Sequence, residues 1–206
     1  MRRLPELLAL AILASGGAGL LLAAVTTMPP RPPQPAGGAW AAGVRKPAPG
    51  TLARSEPVAI AIPQIALTAP VVATGVERDG SVSVPPLGMP SVTGWYRLGP
   101  SPGEAGGAVI VGHVDSRKSG PAVFFNLGAL KRGATIEVTR RDRTVVVFMV
   151  DGVRSYPKRG FPVDEVYGPL DRPTLRLITC GGKFDVKKHS YQDNVIVFAS
   201  FSSWRR

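Results

Sequence analysis

Leu175-Arg176-Leu177-Ile178-Thr179-Cys180 is a short apolar run that breaks into Gly181-Gly182. A run of this length, rich in aliphatic and β-branched side chains, reads as a strand, and the paired glycines read as its terminator. The strand carries the only cysteine among 206 residues, and it sets that thiol at the lip of a sheet, where a substrate can reach it. A lone cysteine forms no intramolecular disulfide, so structural stapling is excluded. Most unpaired cysteines are small buried hydrophobes, and Cys180 by itself carries no more than that. Its surroundings point elsewhere.

Outward from this run the chain reads as strand after short strand. Val58 to Ile62, Val71 to Val76, Ser81 to Val84, Ala108 to Val111, Thr135 to Thr139, Thr144 to Val153, Thr174 to Cys180 and Asn194 to Phe201 are apolar or β-branched, each bounded by Pro, Gly, Asp or Arg. Asp142-Arg143 between two of them marks a tight hairpin. Only Ala122 to Leu130 offers a helical face, from Phe124, Phe125, Leu127 and Leu130, and Gly128 weakens it. Many short strands with a helix or two predict a mostly β, largely antiparallel barrel or sandwich. Residues 55–206 are enough for one hydrophobic core and too few for two domains.

The N-terminus sets the compartment. Met1-Arg2-Arg3 precedes Leu7 to Val25, nineteen residues without a charge. As a helix that run spans roughly 28 Å, close to the hydrocarbon thickness of a bilayer. Residues 1–27 therefore read as a cytoplasmic arginine-rich start and a transmembrane helix, with the bulk of the chain outside. The rival is a cleaved signal peptide, since Leu22-Ala23-Ala24 and Ala39-Trp40-Ala41 offer small-residue stretches. Residues 28–54 hold seven prolines and four glycines and read as an extended linker, reaching on the order of 80 Å. An exported free thiol is exposed to oxidation unless it has work to do.

The formal charge of +11 divides into +5 for the first 54 residues and +6 for the rest. That balance suits an anionic envelope. Nucleic acid is not an expected partner for a domain read as lying outside the membrane, and no zinc-finger spacing, RNP motif or aromatic stacking series supports it.

His113 follows the apolar strand Gly107 to Val111 directly, flanked by Gly112 and by Asp115-Ser116, which places it at a rim. The other histidine, His189, sits in Lys187-Lys188-His189-Ser190 and reads as solvated. One cysteine and one histidine at strand ends, 67 residues apart, suit nucleophilic catalysis: an adjacent imidazolium favours a thiolate and later protonates the leaving group.

Val109-Ile110-Val111-Gly112-His113-Val114-Asp115-Ser116 and Leu177-Ile178-Thr179-Cys180-Gly181-Gly182 resemble the two signature segments of sortases, closest to the actinobacterial class F type. The resemblance runs from about Pro57 to Phe201 and includes Ile60 to Ile65, Gly94-Trp95-Tyr96, Gly120 to Phe125 and Tyr191 to Val197. It implies an eight-stranded closed barrel and a membrane-anchored cysteine transpeptidase at a Gram-positive cell surface. Such an enzyme cuts a Leu-Pro-x-Thr-Gly-type sorting signal after Thr. It then passes the acyl group to an amine of the cell wall or of another protein, such as a pilin. Carried over, Cys180 is the acyl-accepting nucleophile and His113 the general acid and base. Where class F relatives often have an oxyanion-steadying arginine, this chain has Gln192, a neutral donor. Arg176, four residues before Cys180 on the same strand face, is a second candidate for that role.

Other classes fit less well. Papain-like and NlpC/P60-type hydrolases place the cysteine before the histidine, and an L,D-transpeptidase carries its cysteine in a different segment. A non-catalytic stalked β-domain binding wall polymer leaves the Cys–His pair unexplained. One Cys and two His supply too few zinc ligands, and Asp164, Glu165 and Asp171 are scattered in a long loop, so no metal or other cofactor is expected.

Overall fold

The computed structural model describes residues 30–36 and 51–206. The apolar run Leu7 to Val25 lies outside the described residues, and no described helix is long and apolar enough to cross a membrane. Pro32–Arg206 forms one compact unit. Its strands are β1 (Pro57–Ile62), β2 (Leu67–Thr74), β3 (Thr93–Tyr96), β4 (Gly106–Val111), β5 (Asp115–Ser116), β6 (Gly120–Pro121), β7 (Thr135–Arg140), β8 (Val145–Pro157), β9 (Pro173–Asp185) and β10 (Ser190–Arg205). Eight of them close a barrel in the order β1-β2-β3-β4-β9-β10-β8-β7, and β5 and β6 form a small separate ribbon. Two neighbouring pairs, β2–β3 and β4–β9, run parallel, and the rest are antiparallel.

On β7 and on β8 as far as Val150 every second residue is buried, as expected for strands with one face on a core and one on water. Ile136, Val138, Val146, Phe148 and Val150 fill the barrel with Ile60, Ile62, Trp95, Leu175, Leu177 and Val197. Strands β4, β9 and β10 are buried on both faces. Their outward Val109, Val111, Ile178, Ile196 and Phe198 pack under Val166, in the only α-helix among the described residues, α1 (Val163–Tyr167). This double burial is why residues 175–180 read as a continuous apolar run instead of an alternating one.

Several expectations change. Ala122 to Leu130 is a chain of tight turns ending in a 3-10 helix, Leu127–Ala129, with Phe125, Leu127, Ala129 and Leu130 N–H groups each bonded three residues back. Phe124 and Leu127 plug the barrel, so one buried face produced a helical pattern without a helix. Ser81 to Val84 contributes only the bridge Val76–Val82. The loop before β9, read as structureless, contains α1. Within the stretch read as linker, Leu52 packs on the core, Arg54 stacks 5.1 Å from the Trp95 ring, and buried Arg140 donates to Ala53 O at 2.7 Å.

Candidate active site

The parallel pairing of β4 with β9 sets Val111 beside Ile178. Past the end of β4 the chains stay together, because Gly112 N–H donates to Ile178 O at 3.1 Å and Thr179 Oγ1 donates to Gly112 O at 2.8 Å. His113 follows just past the end of β4, where its backbone O accepts from Phe124 N–H at 3.0 Å, and Cys180 lies two residues beyond Ile178 on β9. Ile178 faces outward, and in the strand the side chain two residues on returns to that face, so Cys180 lies on the outer side of β9. Gly112 has to be a glycine here: a Cβ would lie 2.7 Å from the Phe124 ring. Cys180 is partly exposed. His113 Nε2 donates to Pro85 O at 2.7 Å, since a carbonyl only accepts, and Nδ1 is the ring's remaining nitrogen. The imidazole and the thiol are not hydrogen-bonded to each other.

Gly181 and Gly182 do not end β9. Pairing passes from Gly181–Asp193 to Phe184–Tyr191, three residues against two, so β9 carries the extra residue of a bulge. Gly182 supplies it, with φ of +74°, and a Cβ there would meet Asp193 Oδ2 at 2.4 Å. Its N–H leaves the ladder and donates to Gln34 Oε1 at 2.8 Å, in the Pro-rich segment. Because β10 is regular from Asp193 to Phe198, Asn194, Ile196 and Phe198 face the same way, and Asn194 sits directly across from Cys180. Gln192 lies one step further along that face, opposite the bulge, and is exposed.

Arg176 is buried rather than solvated. Its guanidinium donates to Glu165 O and Leu175 O at 3.3 and 3.2 Å and lies 4.8 Å over the Phe198 ring. Burial lowers it to about 10, partly offset by Asp151 and Glu165. Four residues of strand, about 13 Å, separate it from Cys180. It fastens the α1 loop to the outer face of the sheet.

Two further contacts tie the His113 loop to the hairpin after Cys180. Tyr191 OH donates to Asp115 Oδ2 at 2.5 Å, and the Tyr191 ring meets Phe184 edge-on at 5.1 Å. Burial, the Asp115 carboxylate and, more weakly, Cys180 hold the Tyr191 phenol well above its ordinary range, so it stays a donor. Arg117 Nη2 donates to Nδ1 of His189 at 2.7 Å. His189 is exposed, as expected, but belongs to the same rim.

A family model described as the sortase domain matches residues 60–202. The chain belongs to the sortase family. Sortases are cysteine transpeptidases. No curated protein matches this sortase. Among solved structures it is similar to sortase A of Listeria monocytogenes, at 15% identity and a TM-score of 0.55, over 72% of this chain and 89% of that one. Sortase C1 of Streptococcus agalactiae, in its complex with MTSET, aligns at 16% and 0.55 over 74% and 72%. Sortase C-1 of Actinomyces oris aligns at 18% and 0.55 over 72% and 76%. At these identities the likeness shows the fold alone.

Of the residues singled out in the sequence, Cys180 lies on β9 and His113 just past the end of the adjoining β4, Gln192 lies on β10, and Arg176 is turned to another task. Asn194, Asp115 and Tyr191 escaped the sequence reading. Their positions depend on which strands pair and in what register, and no local pattern carries that. A cleft of about 470 Å³ bounded by Tyr96, Leu98, Pro100, Tyr167 and Leu170 lies towards the start of β4, away from this site.

Proposed function

We propose that the sortase is a membrane-anchored, extracytoplasmic enzyme that cuts an LPxTG-type sorting signal and transfers it to an amine of peptidoglycan precursor or pilin. The observation that supports the chemistry is the β4–β9 register, which leaves His113 just past the end of β4 and Cys180 two residues beyond the last paired residue of β9. The Cys180 thiolate attacks the threonine carbonyl carbon. The C–N bond to glycine breaks as His113 gives its proton to the departing amine, leaving a thioester on Sγ. An incoming amine then attacks the thioester, His113 takes its proton, and the new C–N bond forms as the C–S bond breaks.

The developing oxyanion needs a positioned donor. Asn194, across from Cys180, and Gln192, one step along, offer neutral amides where relatives use a guanidinium. The membrane anchor is the uncharged run Leu7 to Val25, with Arg2 and Arg3 on the cytoplasmic side. The test is to incubate the full chain with a fluorogenic LPxTG-type peptide and hydroxylamine. Hydroxamate of the acyl half is the expected product, and no release above a peptide with scrambled sequence overturns the reading.

A further inference from the structure

Both ends of the barrel carry exposed basic groups, Arg143 and Arg172 among them at the end remote from Cys180. At the end remote from Cys180, Arg54 pairs with Glu104, Arg140 with Asp142 and Arg141 with Glu56, at 3.2, 2.7 and 2.8 Å. Around Cys180, Lys183, Lys187 and Lys188 on the β9–β10 hairpin are exposed, as are Arg117 and Lys118 on the loop bonded to it through His189. Among the described residues none of these five makes an ion pair. The one carboxylate at the hairpin tip, Asp185, accepts from the Lys187 and Lys188 backbone N–H groups at 3.0 and 3.1 Å.

The same tip exposes apolar surface. Val186 is 70% exposed and Phe184 37%. Apolar side chains set between unpaired lysines match an interfacial bilayer, with methyl and ring groups at the acyl boundary and cations among phosphates. Where the chain enters the folded unit is an independent observation. Pro32 is buried, Gln34 accepts from Gly182 N–H, and a Cβ on Gly128 would touch Pro33 O, so the N-terminal connection leaves at the Cys180 end. Residues 26–31 alone separate the apolar run from Pro32, which bounds their span to roughly 25 Å.

We propose that the Cys180 end of the barrel docks on an anionic phospholipid surface through the Phe184–His189 hairpin and the Arg117–Lys118 loop, so that transpeptidation happens at the headgroup layer. This rests on the anchor reading above. Both reacting groups then meet substrates where they leave the membrane, and not at the tip of a long stalk.

The test uses the full chain as Cys180→Ala with a single new cysteine, Val186→Cys or Arg143→Cys, labelled with a polarity-sensitive fluorophore. Arg143 lies on the hairpin at the opposite end. In vesicles of phosphatidylglycerol and phosphatidylcholine, the label at 186 is expected to shift blue and be quenched by lipid-borne nitroxide, while the label at 143 stays water-like. Each basic residue strengthens headgroup association about fivefold, so changing Lys183, Lys187 and Lys188 to Gln weakens docking roughly a hundredfold and returns the 186 label to water-like emission. The chain itself still floats with the vesicles. Water-like emission at both positions in a floating chain overturns the docking and leaves the anchor standing. A chain that does not float overturns both. A 186 label that responds to soluble polyphosphate as strongly as to vesicles assigns the surface to a soluble polyanion and overturns the membrane assignment.

Discussion

Tyr191→Phe removes one hydroxyl and with it the bond that joins the His113 loop to the strand beside Cys180. A hydrogen bond to a charged group contributes about 1.5 to 3 kcal/mol, and this pair is only partly buried, so about 1 to 2 kcal/mol is the expected loss. For a domain of this size that lowers Tm by roughly 2 to 8 °C. Asp115 is two residues beyond His113, so releasing it also loosens the imidazole relative to the thiol. Misalignment of reacting groups costs roughly 10- to 100-fold, and it should appear in kcat while KM stays nearly constant. Asp115→Asn keeps an acceptor and should lose less than Asp115→Ala. A pH series adds a check on sign. The folded phenol titrates above its ordinary value, so its contribution is complete below about pH 10 and is lost as pH rises beyond that. The Tm gap between wild type and Tyr191→Phe should therefore be flat from neutrality to about pH 9 and shrink above about pH 10. A lowered Tm with unchanged kcat would refute the positioning role, and an unchanged Tm would refute the bond itself.

His113→Ala should reduce turnover by roughly 10² to 10⁴ with little change in Tm, while His189→Ala leaves turnover near wild type; equal losses in a peptide-cleavage assay would remove the distinction between them. Gln192→Arg should raise kcat/KM by roughly 5- to 30-fold if a charged donor improves on a neutral one, and Asn194→Ala should lower it; no response at either position moves the oxyanion donor elsewhere. Arg176→Met keeps contact with Phe198 and removes a buried cation, so Tm measured by calorimetry should hold or rise, and kcat/KM should stay within about threefold. A hundredfold loss of activity in a folded Arg176→Met variant would return the oxyanion role to Arg176.

The strands most legible in the sequence were those whose burial alternates or runs unbroken: β7, β8 and their Asp142-Arg143 turn, where Arg143 takes a φ of +68°, and residues 174–180 of β9. Cys180 and His113 stood out in the sequence because each stands alone among strand ends, and the family resemblance joined them. What stayed hidden depends on long-range pairing. Gly181-Gly182 signals a break in any local reading, yet opposite β10 the second glycine becomes a bulge and the strand continues to Asp185. Phe124, Leu127 and Leu130 have helical spacing, but they plug a barrel mouth from a series of turns. Arg176 stood as an oxyanion candidate because its covering layer, α1, is a short segment with no strong signal of its own.

Intact-protein mass spectrometry of the acid-quenched sortase, mixed with an LPxTG-type peptide, tests the central claim most directly. The account predicts an adduct equal to the acyl half of the peptide, mapped to Cys180, discharged by hydroxylamine and absent from Cys180→Ala. Peptide cleavage that proceeds without an adduct and persists in Cys180→Ala would contradict it.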